Sequence, residues 1–196
     1  MAKDRDGRDE DDDGGTALET ATRLERLARL LRQAGHSGGL VPAQWEVLRY
    51  LVRANRLSRS PGALARYLGS TKGTVSQSLL TLDRKGLIRR ENQPSDERHV
   101  LVSLTQAGHD LLAKDPLQAI AGDLEALGGK TRRRFARGLA ELLVHEIARQ
   151  GAASFGTCEG CRHFQAASSG KSMTCGKDGG PLHANETSLL CIVHQA

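Results

Sequence analysis

The sequence predicts a mainly α-helical chain with a small β-wing, an α+β fold, followed by a short segment organised by cysteines. Three observations lead there. Apolar residues recur at helical spacing through most of residues 16–150. Residues 88–104 alternate like two strands around a polar turn. All four cysteines fall in the last 39 residues, with none in the preceding 157.

The elements can be placed in order. Residues 1–15 open with three basic and seven acidic side chains up to Asp13 and almost no apolar ones, which predicts a disordered acidic tail. Leu18, Leu24, Leu27, Ala28 and Leu31 then form a helical stripe ending before Gly35, with Arg23, Glu25, Arg26 and Arg32 opposite. Pro42 opens a second helix carrying Trp45, Leu48, Leu51 and Val52. Ser60 as N-cap and Pro61 at N1 start a short helix with Leu64, Tyr67 and Leu68 on its apolar face. Gly69 breaks the chain, and Ser70 or Thr71 caps the next helix, which runs to about Lys85. Val75, Leu79 and Leu82 lie on one side of it, leaving Lys72, Thr74, Ser76, Gln77 and Thr81 toward solvent. Gly86 and Leu87 suit a left-handed cap with its apolar contact.

Past the hairpin, Thr105 caps a helix through Leu111 and Leu112, and Pro116 marks a kink or restart before Ile120, Leu124 and Leu127. Gly128 and Gly129 end that piece, and a last long helix carries Phe135, Leu139, Leu142, Leu143 and Ile147.

Two short helices joined by a tight turn, the second polar on its outer face, make a helix-turn-helix whose second helix is shaped to enter a DNA major groove. The hairpin supports this. Ile88 and Arg90 lead out, and Val100, Val102 and Leu104 alternate on the return. Between them Asn92, Gln93, Pro94, Ser95, Asp96, Glu97 and Arg98 form a polar turn, and an arginine there can enter the narrow, electronegative minor groove. Over residues 16–150 the chain resembles the MarR family of winged-helix regulators. The resemblance rests on the passage Lys85, Gly86, Leu87, Ile88, Arg90 from recognition helix to wing, and on Asp96 and Arg98 at the wing tip. It implies that Asp96 orients Arg98. It also implies that the terminal helices of two copies intertwine as a homodimer. Gln77 and Ser78 depart from the pattern, since family members often carry a basic or bulky residue there. The expected DNA-contacting set is Ser70, Thr71, Lys72, Thr74, Ser76, Gln77, Arg90, Asp96 and Arg98.

Charge agrees. The tail is acidic and residues 158–196 are balanced, so the stretch between holds 22 of the 28 basic but only 13 of the 23 acidic side chains. A basic middle suits phosphate contacts, which supply affinity without sequence information. The first and last apolar stripes exceed what one small domain covers. A two-fold dimer reading a pseudo-palindromic operator in double-stranded DNA accounts for them.

The cysteines Cys158, Cys161, Cys175 and Cys191 are spaced C-x2-C-x13-C-x15-C. No leader-like or membrane-length apolar run is present, so a cytoplasmic location without membrane contact is expected. In a reducing compartment, clustered cysteines indicate a metal rather than disulfides. Residues 151–196 are rich in Gly and Ser and poor in large apolar residues, as in a segment that folds around its metal. Four thiolates satisfy zinc, although zinc ribbons usually show two C-x2-C knuckles. The alternative is an iron–sulfur cluster. Cys158, Cys161, Phe164, Cys175, Pro181, Leu182 and Cys191 resemble the pattern of the high-potential iron–sulfur proteins, which implies a 4Fe–4S group. The shell looks thin, with Phe164 the only aromatic nearby and Leu190 before the last cysteine, which suits a sensor better than a carrier. His163, His183 and His194 offer an alternative ligand in place of a cysteine, but read first as surface side chains.

No enzyme signature is found: no nucleophile–base–acid order, no phosphate-cradling glycine loop, no paired carboxylates outside the acidic tail. The expectation is therefore a DNA-binding repressor sensing redox or iron status through an iron–sulfur cluster. Two alternatives stay open: a regulator with structural zinc and a small-molecule effector, and an iron–sulfur electron-transfer protein.

Overall fold

The computed structural model of the chain describes residues 15–93, 96–166 and 172–195, with the backbone alone for residues 93 and 96–99. The expected acidic tail, up to residue 14, lies outside them. Helix α1 (Ala17–Ala34) begins at a capping box: Thr16 Oγ accepts the Glu19 N–H at 3.2 Å, and the Glu19 carboxylate accepts the Thr16 N–H at 2.7 Å. Helix α2 (Pro42–Arg53) is the centre of the molecule. Trp45, Val47, Leu48, Tyr50 and Leu51 are buried, so its inward arc is wider than the spacing of its largest residues suggested. Val52 is 42 % exposed, because one further step of 100° carries it past that arc.

A 3₁₀ turn (Arg56–Ser58) leads to α3 (Pro61–Tyr67) and α4 (Lys72–Arg84), the two helices of the helix-turn-helix. Leu64, Val75, Leu79 and Leu82 close the core against α2. Strand β1 (Ile88–Gln93) pairs antiparallel with β2 (Asp96–Leu104), with Ile88 opposite Leu104 and Arg90 opposite Val102. The polar turn is thus shorter than expected. Asn92, Gln93 and the backbone from Asp96 to Arg98 belong to strands, with an irregularity at Asn92 and Gln93. Main-chain hydrogen bonds extend a hairpin without apolar side chains, so alternation stops marking the strands before they end.

Helix α5 (Gln106–Leu112) is capped by Thr105, which accepts the Gly108 N–H at 3.2 Å. Pro116 marks a restart. It sits one residue before α6 (Leu117–Ala126), and the Asp115 carboxylate caps the new helix by accepting the Leu117 N–H at 2.8 Å. Gly129 begins α7 (Gly129–Arg149) instead of ending α6. Neither α1 nor α7 contains a buried residue. The chain then folds back over the α2–α3 connection and forms a three-stranded antiparallel sheet of β3 (Phe164–Ala166), β4 (Met173–Cys175) and β5 (Pro181–Leu182). Among the described residues no helix is long and apolar enough to cross a membrane.

One ion pair ties α2 to the start of α6. Arg49 grips Asp115 through two bonds of 2.7 Å, and Asp115 is 7 % exposed. Burial pushes the Asp115 carboxyl up, but the Arg49 bonds and the Leu117 N–H outweigh it and hold the group below its ordinary range. A depressed carboxyl stabilises the fold above the unfolded value, near about 4, and loses that contribution as pH falls through the folded one. Arg49→Ala leaves the carboxylate without its partner. We expect a loss of about 3 kcal/mol in urea denaturation at neutral pH, and a smaller loss in mildly acid buffer where Asp115 can take a proton.

Candidate nucleic-acid interface and cysteine site

The recognition helix is set by its two ends. Thr71, not Ser70, is the N-cap of α4: its Oγ accepts the Thr74 N–H at 3.1 Å and lies 2.9 Å from the Thr74 hydroxyl. The turn before it depends on Gly69 at φ +57°, which lets the Ser70 N–H reach back to the Ala65 carbonyl at 3.0 Å. At the other end Gly86, at φ +68°, donates to the Asp83 carbonyl, and Leu87 donates to the Leu82 carbonyl at 3.0 Å. That pair of bonds is a Schellman motif. With Val75, Leu79 and Leu82 buried, Thr71, Lys72, Thr74, Ser76 and Gln77 are all exposed along one side, and Ser70 is half-buried beside them.

The wing leaves this cap directly. Ile88 is buried and Arg90 is exposed on β1. Asp96 opens β2 opposite Gln93, and Arg98 lies two residues further along the same strand. The side chains of Asp96 and Arg98 lie outside the described residues, and so does the contact expected between them. Thr105, after β2, donates its hydroxyl to the Gly86 carbonyl at 2.6 Å. The recognition helix and the wing therefore meet at one junction.

The cysteines gather at a second site. Cys158 and Cys161 bracket a turn in which the Cys161 N–H reaches the Cys158 carbonyl at 3.1 Å, and the Phe164 N–H reaches the Cys161 carbonyl at 3.0 Å. Phe164 starts β3 opposite Cys175 at the end of β4. Cys191 exchanges both main-chain bonds with Gly156, at 2.8 and 3.3 Å. Cys158, Cys175 and Cys191 are buried and Cys161 is half-buried, all as free thiols. Burial pushes the Cys158 thiol up, and Cys191, Cys161 and Cys175 add to the rise in that order. All three neighbours are thus within electrostatic reach of Cys158. Among the described residues, no three His, Cys, Asp or Glu side chains converge closely enough to hold a single metal ion.

The shell is thicker than the sequence suggested. Leu57, Phe164, Met173 and Leu182 pack around Cys158 and Cys175, and Leu57 comes from the 3₁₀ turn, far away in sequence. Two of the histidines read as surface side chains are half-buried: His194, and His163, which bonds Gln195 at 2.8 Å. Only His183 is exposed.

The docking of the cysteine segment on the helix-turn-helix was not foreseen from the sequence. The Leu190 N–H donates to the Arg53 carbonyl at 2.7 Å, and the Asn55 N–H donates to the Leu190 carbonyl at 3.0 Å. The Ile192 N–H reaches Ser58 Oγ at 2.9 Å, and that hydroxyl donates to Asn55 Oδ1 at 2.8 Å. Tyr50, buried beneath, donates to the Ser58 carbonyl at 2.6 Å, and its phenol is pushed up by burial and by Tyr67. Phe155 stands edge-on to Tyr50 and Tyr67, with ring centres 6.0 and 5.1 Å away. Arg56 spans to Asp178 at 2.5 Å and Glu186 at 2.9 Å. No local pattern in residues 151–196 announces this contact.

A sequence profile described as MarR family matches residues 39–99. HTH-type transcriptional regulator YdcH of Bacillus subtilis (strain 168) is 37 % identical over 73 residues, 37 % of this chain and 50 % of its own length. Transcriptional regulator HosA of Escherichia coli O111:H- is 35 % identical over 74 residues, 53 % of its length, so the chain spans about half of either relative. HTH-type transcriptional regulator ML2140 of Mycobacterium leprae (strain TN) is 32 % identical over 102 residues, 52 % of this chain and 70 % of its own. A MarR transcriptional regulator from Methanosarcina mazei Go1 superposes with a TM-score of 0.54 at 21 % identity, over 67 % of this chain and 96 % of that one. The S. aureus MepR–DNA complex gives 0.54 at 20 % identity, over 64 % and 96 %. Both likenesses show the fold.

Because the Thr71 hydroxyl satisfies a main-chain donor at the start of α4, Thr71→Ala should lower stability by about 1 kcal/mol in thermal or urea unfolding, and Thr71→Ser should restore most of it.

Proposed function

The chain belongs to the MarR family of winged-helix regulators, and from that premise we propose a homodimeric DNA-binding repressor governed by a metal group on its four cysteines. One observation carries the DNA-binding reading. The row Thr71, Lys72, Thr74, Ser76 and Gln77 is presented to solvent by a helix whose other side is locked into the core. Hydroxyl, amide and ammonium groups on a rigid helix are what base edges and phosphates bond. Exposed Arg90 and the wing arginine Arg98 add charge for the adjacent backbone and minor groove. The dimer reading is supported by the uncovered Leu18, Leu30, Phe135, Leu139, Leu142, Leu143 and Val144 of α1 and α7. Burying such side chains against a second copy removes them from water and sets two recognition helices at operator spacing.

The donor set fits a metal group. Four thiols, three of them buried, lie in one short segment, and Leu57, Phe164, Met173 and Leu182 pack around Cys158 and Cys175. Cys158, Cys161, Cys175 and Cys191 would hold it. An iron–sulfur cluster is favoured over a lone zinc on the C-x2-C-x13-C-x15-C spacing with Phe164, Pro181 and Leu182, since zinc ribbons usually show two C-x2-C knuckles. When bound, such a cluster supplies one-electron redox chemistry and sensitivity to oxidants. The protein's own contribution is to exclude water with the apolar wall and to hold the ligands by main-chain bonds at Gly156, Phe164 and Gly180.

Two measurements test this. Protein purified without oxygen should absorb broadly in the visible and contain iron and acid-labile sulfide in similar amounts, and Cys→Ser at any of the four positions should abolish or sharply reduce that content. Colourless protein with one zinc per chain would replace the cluster with structural zinc, and the effector with a small molecule. For DNA, a site selected from random sequence should be pseudo-palindromic. Lys72→Ala should reduce the salt slope of binding by about 1, Arg98→Ala should weaken binding by about 1–3 kcal/mol, and Gln77→Ala should change the selected bases more than the affinity. An unchanged slope, affinity and selected sequence across these variants would exclude the assigned interface.

A further inference from the structure

Two routes could link the cysteine site to DNA binding. One runs through α7, whose end precedes the segment by few residues. The other runs through the segment's contact with residues 53–58. Against α7 the segment leaves an open gap of about 550 Å³, lined by Val144, Ile147, Phe155, Arg162 and His194. Against residues 53–58 it is bonded. Cys191 is buried between two residues that each engage that stretch: Leu190, which exchanges main-chain bonds with Arg53 and Asn55, and Ile192, which donates to Ser58. The stretch passes directly into the DNA-binding unit. Arg59 accepts the N–H of Val102 on β2 at 2.9 Å, and Ser60 caps α3 by accepting the Ala63 N–H at 3.1 Å. Leu57 adds a side-chain contact, since the same 3₁₀ turn packs against Cys158 and Cys175. On the far side Phe155 stands edge-on to Tyr67, the last residue of α3.

We infer that the state of the cysteine site is read by the helix-turn-helix of the same chain, through the clamp of Leu190 and Ile192 on residues 53–58, and not through α7. Displacing Cys191 moves both neighbours with it, because each is fixed by a hydrogen bond one residue away. The loop then loses three partners, and with them its hold on the α3 cap and on β2, which set the angle between recognition helix and wing. The coupling needs no change at the dimer interface. The inference rests on the proposal that the four cysteines carry a metal group, and its test keeps the two apart.

Metal content of the wild-type protein is measured first, and its absence overturns the cofactor reading and this inference together. With metal present, hydrogen–deuterium exchange is compared before and after chelation in the full chain. Exchange in residues 53–68 and 100–104 should rise by about tenfold or more, with α7 little changed. A rise in α7 with residues 53–68 unchanged overturns the inference and leaves the metal site standing. Two variants test the clamp without touching a cysteine: Ser58→Ala, and Arg56→Ala, which cuts the half-exposed ties to Asp178 and Glu186. Both should keep their metal. The change in affinity for a selected operator on chelation, expected at about 5- to 150-fold in the wild type, should shrink toward unity in both. An unchanged response in Ser58→Ala and Arg56→Ala, or no response in a metal-bound wild type, overturns the inference.

Discussion

The hydroxyl of Ser58 is the point on which the arrangement depends. It donates to Asn55, accepts from Ile192, and belongs to a residue whose carbonyl accepts the buried Tyr50 phenol. Ser58 and Asn55 are both buried, so these groups are bonded where water cannot replace their partners. The network fixes the 3₁₀ turn on α2, and that turn has three neighbours. α3 starts from it, β2 is bonded to it at Arg59, and the cysteine segment lies across it. A small polar network inside an apolar core thus helps set the relative placement of these parts.

The helix-turn-helix was legible because its signals are local. Ser60, Pro61, Gly69, Thr71 and Gly86 each act within a few residues of their own position, and each sits at the helix end where a cap or left-handed turn is formed. The apolar stripes of α1 and α7 were legible for the same reason, as periodicity alone places their residues on one side. Val52 shows the limit of such reading: counting apolar residues does not say how wide the buried arc of a helix is, and here Val47 and Tyr50 occupy the space instead. The wing was read too short in its strands, because pairing near the tip depends on main-chain bonds that leave no mark on residue type.

The cysteine site was only partly legible. The spacing singled out the four cysteines, but not the side chains that pack around Cys158 and Cys175 or the surface the segment sits on. Leu57 lies about a hundred residues before the cysteines it covers, and Ser58 is bonded to a residue 134 positions away. No periodicity extends over that distance. Phe155 and the half-buried His163 and His194 were likewise invisible, since their burial is decided by which surface the segment folds against. Sequence patterns report what neighbouring residues do to one another. Docking between distant segments appears only once both surfaces exist.

The seat of the cysteine segment is made largely of peptide groups. Arg53 and Asn55 meet Leu190 through their backbones, as adjacent strands of a sheet would, although neither belongs to a strand. Peptide groups are common to all residues, so most side chains on both sides of this contact are free to change over evolutionary time while the attachment persists. Ser58 with Asn55 and Tyr50, Arg56 with Asp178 and Glu186, and Phe155 with its two tyrosines are the places bound by side-chain chemistry. An appendage held in this manner is portable. A related chain whose α2–α3 connection has the same backbone course could acquire or lose such a segment with few compensating substitutions, and its DNA-reading surface would stay as it was.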